Sequence, residues 1–321
     1  MTKQLLAAAA LLIGSNASAN ETLDFSMGSI SGNTYAIGVQ VAETVRANGD
    51  YNINVKTGGA LGNLIMIGRD QAQFGHSSSG LALAAYNGQE PYEQRMENLR
   101  GIAKVMESSF QFLTLENVPI DSLAELREKQ YPLKIAVGPR GRENELLSRR
   151  VLEANGISYD DIRDWGGRVE FISISDANSL IRDGHLEAVT ILSGLPYAPV
   201  VEINSARQLQ MLPLSDETVT TMQEQYGYTA TEIKASTYEG IDSPVPSVAG
   251  GVVLVTNSNV SAETAYQLTQ AVCSDQGRDR LATLSGSISS YLASIEACAS
   301  GIGIPLHEGA ERYFSEAGIV Q

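Results

Sequence analysis

The sequence predicts an α/β fold built as two similar lobes, each a mainly parallel sheet flanked by helices. Three observations predict it. Short apolar runs with β character alternate with stretches of helical spacing. The alternation runs twice along the chain in the same order, which implies parallel strands with helical crossovers. In both passes the strand ends run into loops rich in Gly, Ser, Thr and Asn, each leading directly into a helix.

The first pass opens with a strand over 23–27 that stops at Gly28. A Ser/Gly/Asn loop leads to Gly32, and from Thr34 the apolar spacing becomes helical, with Ile37, Val41 and Val45 on one face. Asn48-Gly49 is a helix stop. A second strand over 51–55 leads into Thr57-Gly58-Gly59, a short helix follows over 61–67, and a third strand over 72–75 ends in the loop His76-Ser77-Ser78-Ser79-Gly80. The second pass opens with a strand over 133–137 and the loop Gly138-Pro139-Arg140-Gly141. Its helix buries Leu146, Leu147, Val151 and Leu152 and stops at Gly156. A strand over 169–174, a helix over 176–182 and a strand over 188–192 complete it. Ligands bind beyond the C-terminal ends of such strands, where helix N-termini favour anions. The loops at 28–35, 57–63, 76–80 and 138–144 are therefore expected to converge. For any one loop, tight turning alone explains its Gly and Ser.

The 321 residues suffice for two domains. The charge of −15 argues against a nucleic-acid partner and a polybasic membrane surface. Two Cys and three His argue against a dedicated zinc site, and no cofactor or metal is expected. Lys3, the apolar run over 5–14 and Ala17-Ser18-Ala19 have the form of a signal peptide cleaved near Ala19. The run is too short to span a bilayer, so a soluble periplasmic product without a membrane anchor is expected. An oxidising compartment allows Cys273 and Cys298 to pair and staple helices expected over 262–273 and 277–297. The alternative is two separate buried thiols.

In order along the chain stand Gly32-Asn-Thr34-Tyr35-Ala-Ile-Gly38, Thr57-Gly58-Gly59-Ala-Leu-Gly-Asn63-Leu64, Gly194-Leu195-Pro196, Thr237-Tyr238-Glu-Gly240, and Pro305-Leu306-His307-Glu-Gly309-Ala310-Glu-Arg-Tyr313. Together they resemble the TAXI-type solute receptors of TRAP transporters over nearly the whole mature chain. The resemblance implies the type II periplasmic-binding-protein architecture. It also implies a monomeric receptor that delivers a small molecule to an ion-driven TRAP membrane permease. Ligands of that class include glutamate-like amino acids, dicarboxylates and oxo-acids. The chain departs from the family at His76-Ser77-Ser78, where Gln-Ser-Asp is usual. It departs again at Gly141-Arg142-Glu143-Asn144, where Gly-Ser-Gly-Thr is usual. Lobe 1 is expected over 20–117 and 244–321 and lobe 2 over 118–243, with crossings near 111–116 and 244–251.

The expected ligand set is Ser29, Thr34, Tyr35, Thr57, Gly58, Asn63, His76, Ser77, Ser78, Arg140, Arg142, Glu143, Asn144, Gly194, Pro196 and Tyr238. Arg140 and Arg142 stand at a helix head and can hold a carboxylate through paired hydrogen bonds. The alternative is that they are solvated or pair with Glu143 and Glu145. Glu143 can instead face an ammonium. His76 offers a neutral donor or, at lower pH, a cation; equally, it can serve as a structural hydrogen-bonding group. Tyr35 and Tyr238 offer apolar walls with a polar tip. His307, Trp165 and an exposed His185 are expected to be structural or incidental. A serine hydrolase is the rival class, but neither Ser77 nor Ser78 satisfies Gly-x-Ser-x-Gly. Gly28 and Gly32 do not make the dinucleotide pattern either, so no catalytic residue is expected.

Overall fold

The structure, a computed structural model, describes residues 21–319 except 29, 31, 49 and 50. The segment 1–19 with its cleavage site, and Ser29, lie outside the described residues.

The first pass forms β1 (Glu21–Met27), α1 (Asn33–Asn48), β2 (Tyr51–Thr57), α2 (Ala60–Gly68), β3 (Phe74–Ser78) and α3 (Ser79–Asn87). A long strand, β4 (Leu99–Leu115), leads to α4 (Leu123–Glu128), β5 (Lys134–Ala136), α5 (Glu143–Ala154), α6 (Tyr159–Asp164), β6 (Arg168–Glu170), α7 (Ile174–Arg182) and β7 (Ala188–Ser193). Then come α8 (Ala198–Ala206), β8 (Leu209–Met211), α9 (Asp216–Tyr226), β9 (Thr229–Ile233) and a second long strand, β10 (Val245–Asn257). Five helices close the chain: α10 (Ala262–Cys273), α11 (Asp275–Ala282), α12 (Gly286–Tyr291), α13 (Ile295–Ala299) and α14 (Glu308–Glu316).

The sheet runs in the order β2-β1-β3-β10-β4-β7-β5-β6, with β8 on β4 and β9 on β10. β1 pairs in parallel with β2 and β3, and β5 with β6 and β7. The antiparallel pairing of β4 with β10 joins the two parallel groups. Two hydrophobic cores result. One contains Phe25, Ile53, Phe74, Leu268 and Phe314; the other contains Phe112, Ile135, Leu147, Val189 and Met222. β4 gives Val105 to the first core and Phe110 to the second, while β10 gives Val248 to the second and Val253 to the first. The fold is thus the two-lobed α/β type, with two long strands common to both halves.

Local chemistry places these elements. Ile37, Val41 and Val45 of α1 are all buried, as four-residue spacing requires of a helix face on a core. In α5 the buried apolar residues are Leu146, Leu147, Val151 and Leu152; Gly156 follows the C-cap in the left-handed region at φ +67, where a side chain would be strained.

Three local expectations differ. The segment over 277–297 is not one helix, because Ser274, Ser285 and Ser294 each cap a new one. The strand expected to run to Ile174 stops at Glu170, because Ser173 accepts from the Asp176 N–H and starts α7. His76-Ser77-Ser78 is strand rather than loop, since β10 pairs with it as Leu254↔His76, Val253↔Ser77 and Val252↔Ser78.

Cys273 and Cys298 form a disulfide, with Cα atoms 6.0 Å apart, inside the first core. His307 is buried. It caps α14 by accepting from the Gly309 N–H at 3.2 Å, and its Nε2 lies 3.0 Å from the Val260 carbonyl.

Candidate functional site

The C-terminal ends of the parallel strands carry two chemically different clusters. In the first half, β1 and β3 are neighbours and α2 leans over both. Ser26 Oγ donates to Asn63 Oδ1 at 2.8 Å. Asn63 Nδ2 lies 3.0 Å from His76 Nδ1 and donates to the His76 carbonyl at 2.9 Å. An amide nitrogen can only donate, so His76 Nδ1 accepts and the neutral ring carries its proton on Nε2. Burial pulls His76 down to about 4, against a hydrogen bond to the Ser26 main chain that raises it.

Close glycines seal this cluster. A Cβ on Gly58 would stand 2.6 Å from Ser26 Oγ and would collide with Asn63 Oδ1. One on Gly28 would strike the Thr34 hydroxyl, with the His76 ring 3.7 Å away. Ser77 Oγ donates to the Ala60 carbonyl at 2.9 Å, and Ser78 caps α3 by accepting from the Leu81 N–H at 3.2 Å. Tyr35 packs half-buried against the first core, and Thr57 is exposed.

Glu143 opens α5 and turns toward the first half. Its carboxylate is hydrogen-bonded to Ser78 and accepts from the Tyr228 hydroxyl at 3.4 Å. Burial raises it to about 6, outweighing those bonds and nearby Arg150. The same helix is tied to Glu90, by Arg149 at 2.7 Å and by Arg150 to the Glu90 carbonyl at 2.8 Å. Glu143 therefore faces Ser78 and Tyr228, where the sequence left an ammonium open.

In the second half, the ends of β5 and β7, the start of α7 and the loop after β7 line a partly open pocket of about 180 Å³. Ala136, Ile172, Ile174, Ala177, Val189, Ile191, Leu192 and Tyr197 give it an apolar wall; Asn144 and Thr190 are its polar side chains. Asn144 Nδ2 donates to the Val137 and Thr190 carbonyls at 2.9 and 3.0 Å, while its Oδ1 is buried with no hydrogen-bond partner. A buried acceptor left unmatched costs about 1–3 kcal/mol. The exposed Arg140, next in sequence to the lining residue Pro139, lies over the ring of Phe171 at 3.6 Å, and Phe171 is next in sequence to the lining residue Ile172. Exposed Arg142 is the N-cap of α5 and makes no side-chain capping bond.

Gly194 and Pro196 lie in the loop after β7, where Tyr238 acts as a strut. Buried, it donates to Gln111 Oε1 at 2.8 Å and accepts from the Tyr197 N–H at 3.0 Å. Pro196 also borders a groove of about 480 Å³ with Glu107, Lys234 and Tyr291. There Lys104 pairs with Glu107 at 2.9 Å; burial alone would lower this ammonium's pKa, but Tyr291 and Glu107 raise it.

Sequence reasoning missed Tyr197, and it missed Phe171, Ile172 and Ile174 because it read 169–174 as strand. The signal was present: Ser173 with Asp176 three residues later marks a helix start. Among the described residues no group of three or more His, Cys, Asp or Glu could hold a metal, and no helix is long and apolar enough to cross a membrane.

The fold has solved counterparts. A TctC solute binding protein from Polaromonas superposes with a TM-score of 0.54 at 15% identity, covering 94% of this chain and 99% of that one. A binding protein component of an ABC phosphonate transporter from Pseudomonas aeruginosa gives 0.53 at 12% identity, covering 84% of this chain and 79% of that one. The sequence pattern of the NMT1-like family matches residues 25–318, nearly all of the described chain, and the protein belongs to the NMT1-like family.

Proposed function

We propose that this protein is a periplasmic solute receptor of the TAXI type, and that it delivers a small carboxylate to an ion-coupled TRAP permease. The observation that carries this reading is architectural. Two α/β halves, joined through β4 and β10, both present helix-initiating loops at the C-terminal ends of their parallel strands. Such ends are where open α/β sheets take ligands. Lobe 1 is assigned 20–117 and 244–321, and lobe 2 is assigned 118–243. The lobes close on the solute, and the closed form is what the permease recognises. Cleavage near Ala19 releases the receptor as a monomer.

Arg140 and Arg142 supply the local positive charge, and the solute is a glutamate-like amino acid, a dicarboxylate or an oxo-acid. The protein performs no catalysis: Ser77 is bonded to a main-chain carbonyl, Ser78 caps a helix, and His76 faces Asn63. A thermal-shift screen against carboxylates tests the proposal. One compound class is expected to raise the melting temperature, since a ligand at a hundred times its Kd stabilises by about 2.7 kcal/mol. No rise with any compound opposes the reading. Arg142→Ala is expected to weaken binding more than tenfold by calorimetry; unchanged affinity would remove Arg142 from the site.

A second reading has the same receptor serving an ATP-driven importer, in line with its likeness to the phosphonate transporter component. Uptake by vesicles carrying the neighbouring permease separates the two: an imposed ion gradient drives it in the first case, ATP in the second.

A further inference from the structure

β4 and β10 carry the chain between the two cores, and at the crossing they are paired through small residues. Gly250 lies opposite Ser108, and Ala249 opposite Ser109. Small residues at such a crossing can absorb a change of backbone angle between two bodies.

Away from that crossing, the halves meet along α5. Glu143, Leu146, Arg149 and Arg150 recur at intervals of three or four and so share one face of this helix. That face is turned toward the first half. Leu146 belongs to the first core, whereas Leu147, Val151 and Leu152 belong to the second. One turn before Leu146, Glu143 is hydrogen-bonded to Ser78. One turn after it, Arg149 pairs with Glu90 at 2.7 Å and Arg150 donates to the Glu90 carbonyl at 2.8 Å. The Glu90 side chain is 65% exposed, so its ion pair is weakened by water and salt. Leu146 and Arg150 are buried and carry more of the contact; the Arg150 guanidinium lies over the Tyr226 ring at 4.2 Å.

The start of α3 extends the same contact. A Cβ on Gly80 would stand 3.0 Å from Cζ of Tyr228 and 3.1 Å from the Tyr226 carbonyl oxygen, so a longer side chain there would press the halves apart. The neighbouring Ser79 is fully buried. Its hydroxyl donates to the Gly227 carbonyl at 3.4 Å and accepts from the Gly251 N–H at 3.1 Å.

Taking the two-lobe assignment of the receptor reading as given, we infer that this face of α5 is a latch. With the lobes hinged at β4 and β10, it holds lobe 2 against lobe 1 through the chain's own side chains. The latch supplies part of the free energy of closure, and the solute supplies the rest. Apparent affinity is then tuned at a distance from the solute, because it scales with the population of the binding-competent arrangement.

The test is small-angle X-ray scattering on the mature protein with no solute added, with melting curves as the check on folding. The parent is expected to scatter as the arrangement in which α5 meets Ser78 and Glu90. Replacing Arg149 and Arg150 together by Gln is expected to shift the radius of gyration upward. Gly80→Leu, a wedge against Tyr228, is expected to do the same, while Arg149→Lys, which keeps the charge, leaves the radius unchanged. The inference is overturned if the parent scatters as two separated lobes, or if the folded double variant scatters as the parent does. Should the double variant not fold, Gly80→Leu decides in its place. Because the scattering involves no solute, the two readings fail separately. A compound that raises the melting temperature while the variants stay compact keeps the receptor reading and removes the latch. A silent screen with opened variants removes the receptor reading and keeps the latch.

Discussion

The two halves share one order of strand, loop and helix, yet their strand ends do opposite chemistry. In the first half, Ser26, Asn63 and His76 satisfy one another, and the tight glycines Gly28 and Gly58 close the space around them. In the second half, Asn144 is bonded on its nitrogen side only, and the strand ends leave a cavity open beside it. Supersecondary order thus sets where a site lies and leaves its polarity open. Polarity depends on whether the polar groups delivered there find each other. The first cluster is closed by its own hydrogen bonds, and the second borders a pocket with one acceptor unmatched.

The largest expected difference between the halves is covalent. The disulfide Cys273–Cys298 belongs to the first core, and the second core holds no cysteine. A bridge across 25 positions of sequence separation stabilises by about 3 kcal/mol in the chain-entropy model. Replacing both cysteines by serine should lower the calorimetric melting of the first half by several degrees. If both halves unfold together before and after, they form one cooperative unit and the contrast in stability disappears.

A contrast in pH response comes next. His76 is held at about 4, below its ordinary 6.5, so its neutral form is favoured by folding. Its contribution is complete above about pH 6.5 and is lost as pH falls toward 4, up to on the order of 3 kcal/mol. Glu143 is raised to about 6, so ionising it penalises the folded state: that contribution is present below about pH 4.5 and is lost as pH rises through 6. Melting curves between pH 4 and 7 should therefore flatten at the acid side in His76→Gln and at the near-neutral side in Glu143→Gln. Identical profiles in both variants and the parent would show that neither group is buried as described.

The smallest effect concerns Tyr238. Tyr238→Phe removes one bond to Gln111 and one from the Tyr197 N–H, and should cost about 1–2 kcal/mol. As a strut behind the cavity wall, Tyr238 should affect ligand affinity only through Tyr197, by less than tenfold. A complete loss of binding in a folded Tyr238→Phe would make the hydroxyl a direct ligand group.

Much of the fold was legible because it is encoded within windows of about ten residues. The buried face of α1 and that of α5 with its Gly156 stop follow from spacing and end residues alone. Crossings between lobes were expected near 111–116 and 244–251; that single long strands, β4 and β10, serve both cores there was not, because a strand's continuation from one core into another leaves no periodic mark. The site was legible in position and less so in chemistry. Asn63 and His76 were named as ligand groups, and the structure pairs them with each other. Glu143 was weighed against an ammonium, and it meets Ser78 and Tyr228 instead.

By itself the sequence determined the α/β order, the repetition of that order in two halves, and the helix faces and stops. These are local properties, set by side-chain periodicity and by Gly, Ser and Asn at element ends. The tertiary structure alone decided which polar groups are spent on one another and which are left unmatched. Ser26 meets Asn63 across 37 positions, and Tyr228 meets Glu143 across 85. Hydrogen bonding and burial act through space, and a buried acceptor is matched or unmatched only by what the fold brings beside it.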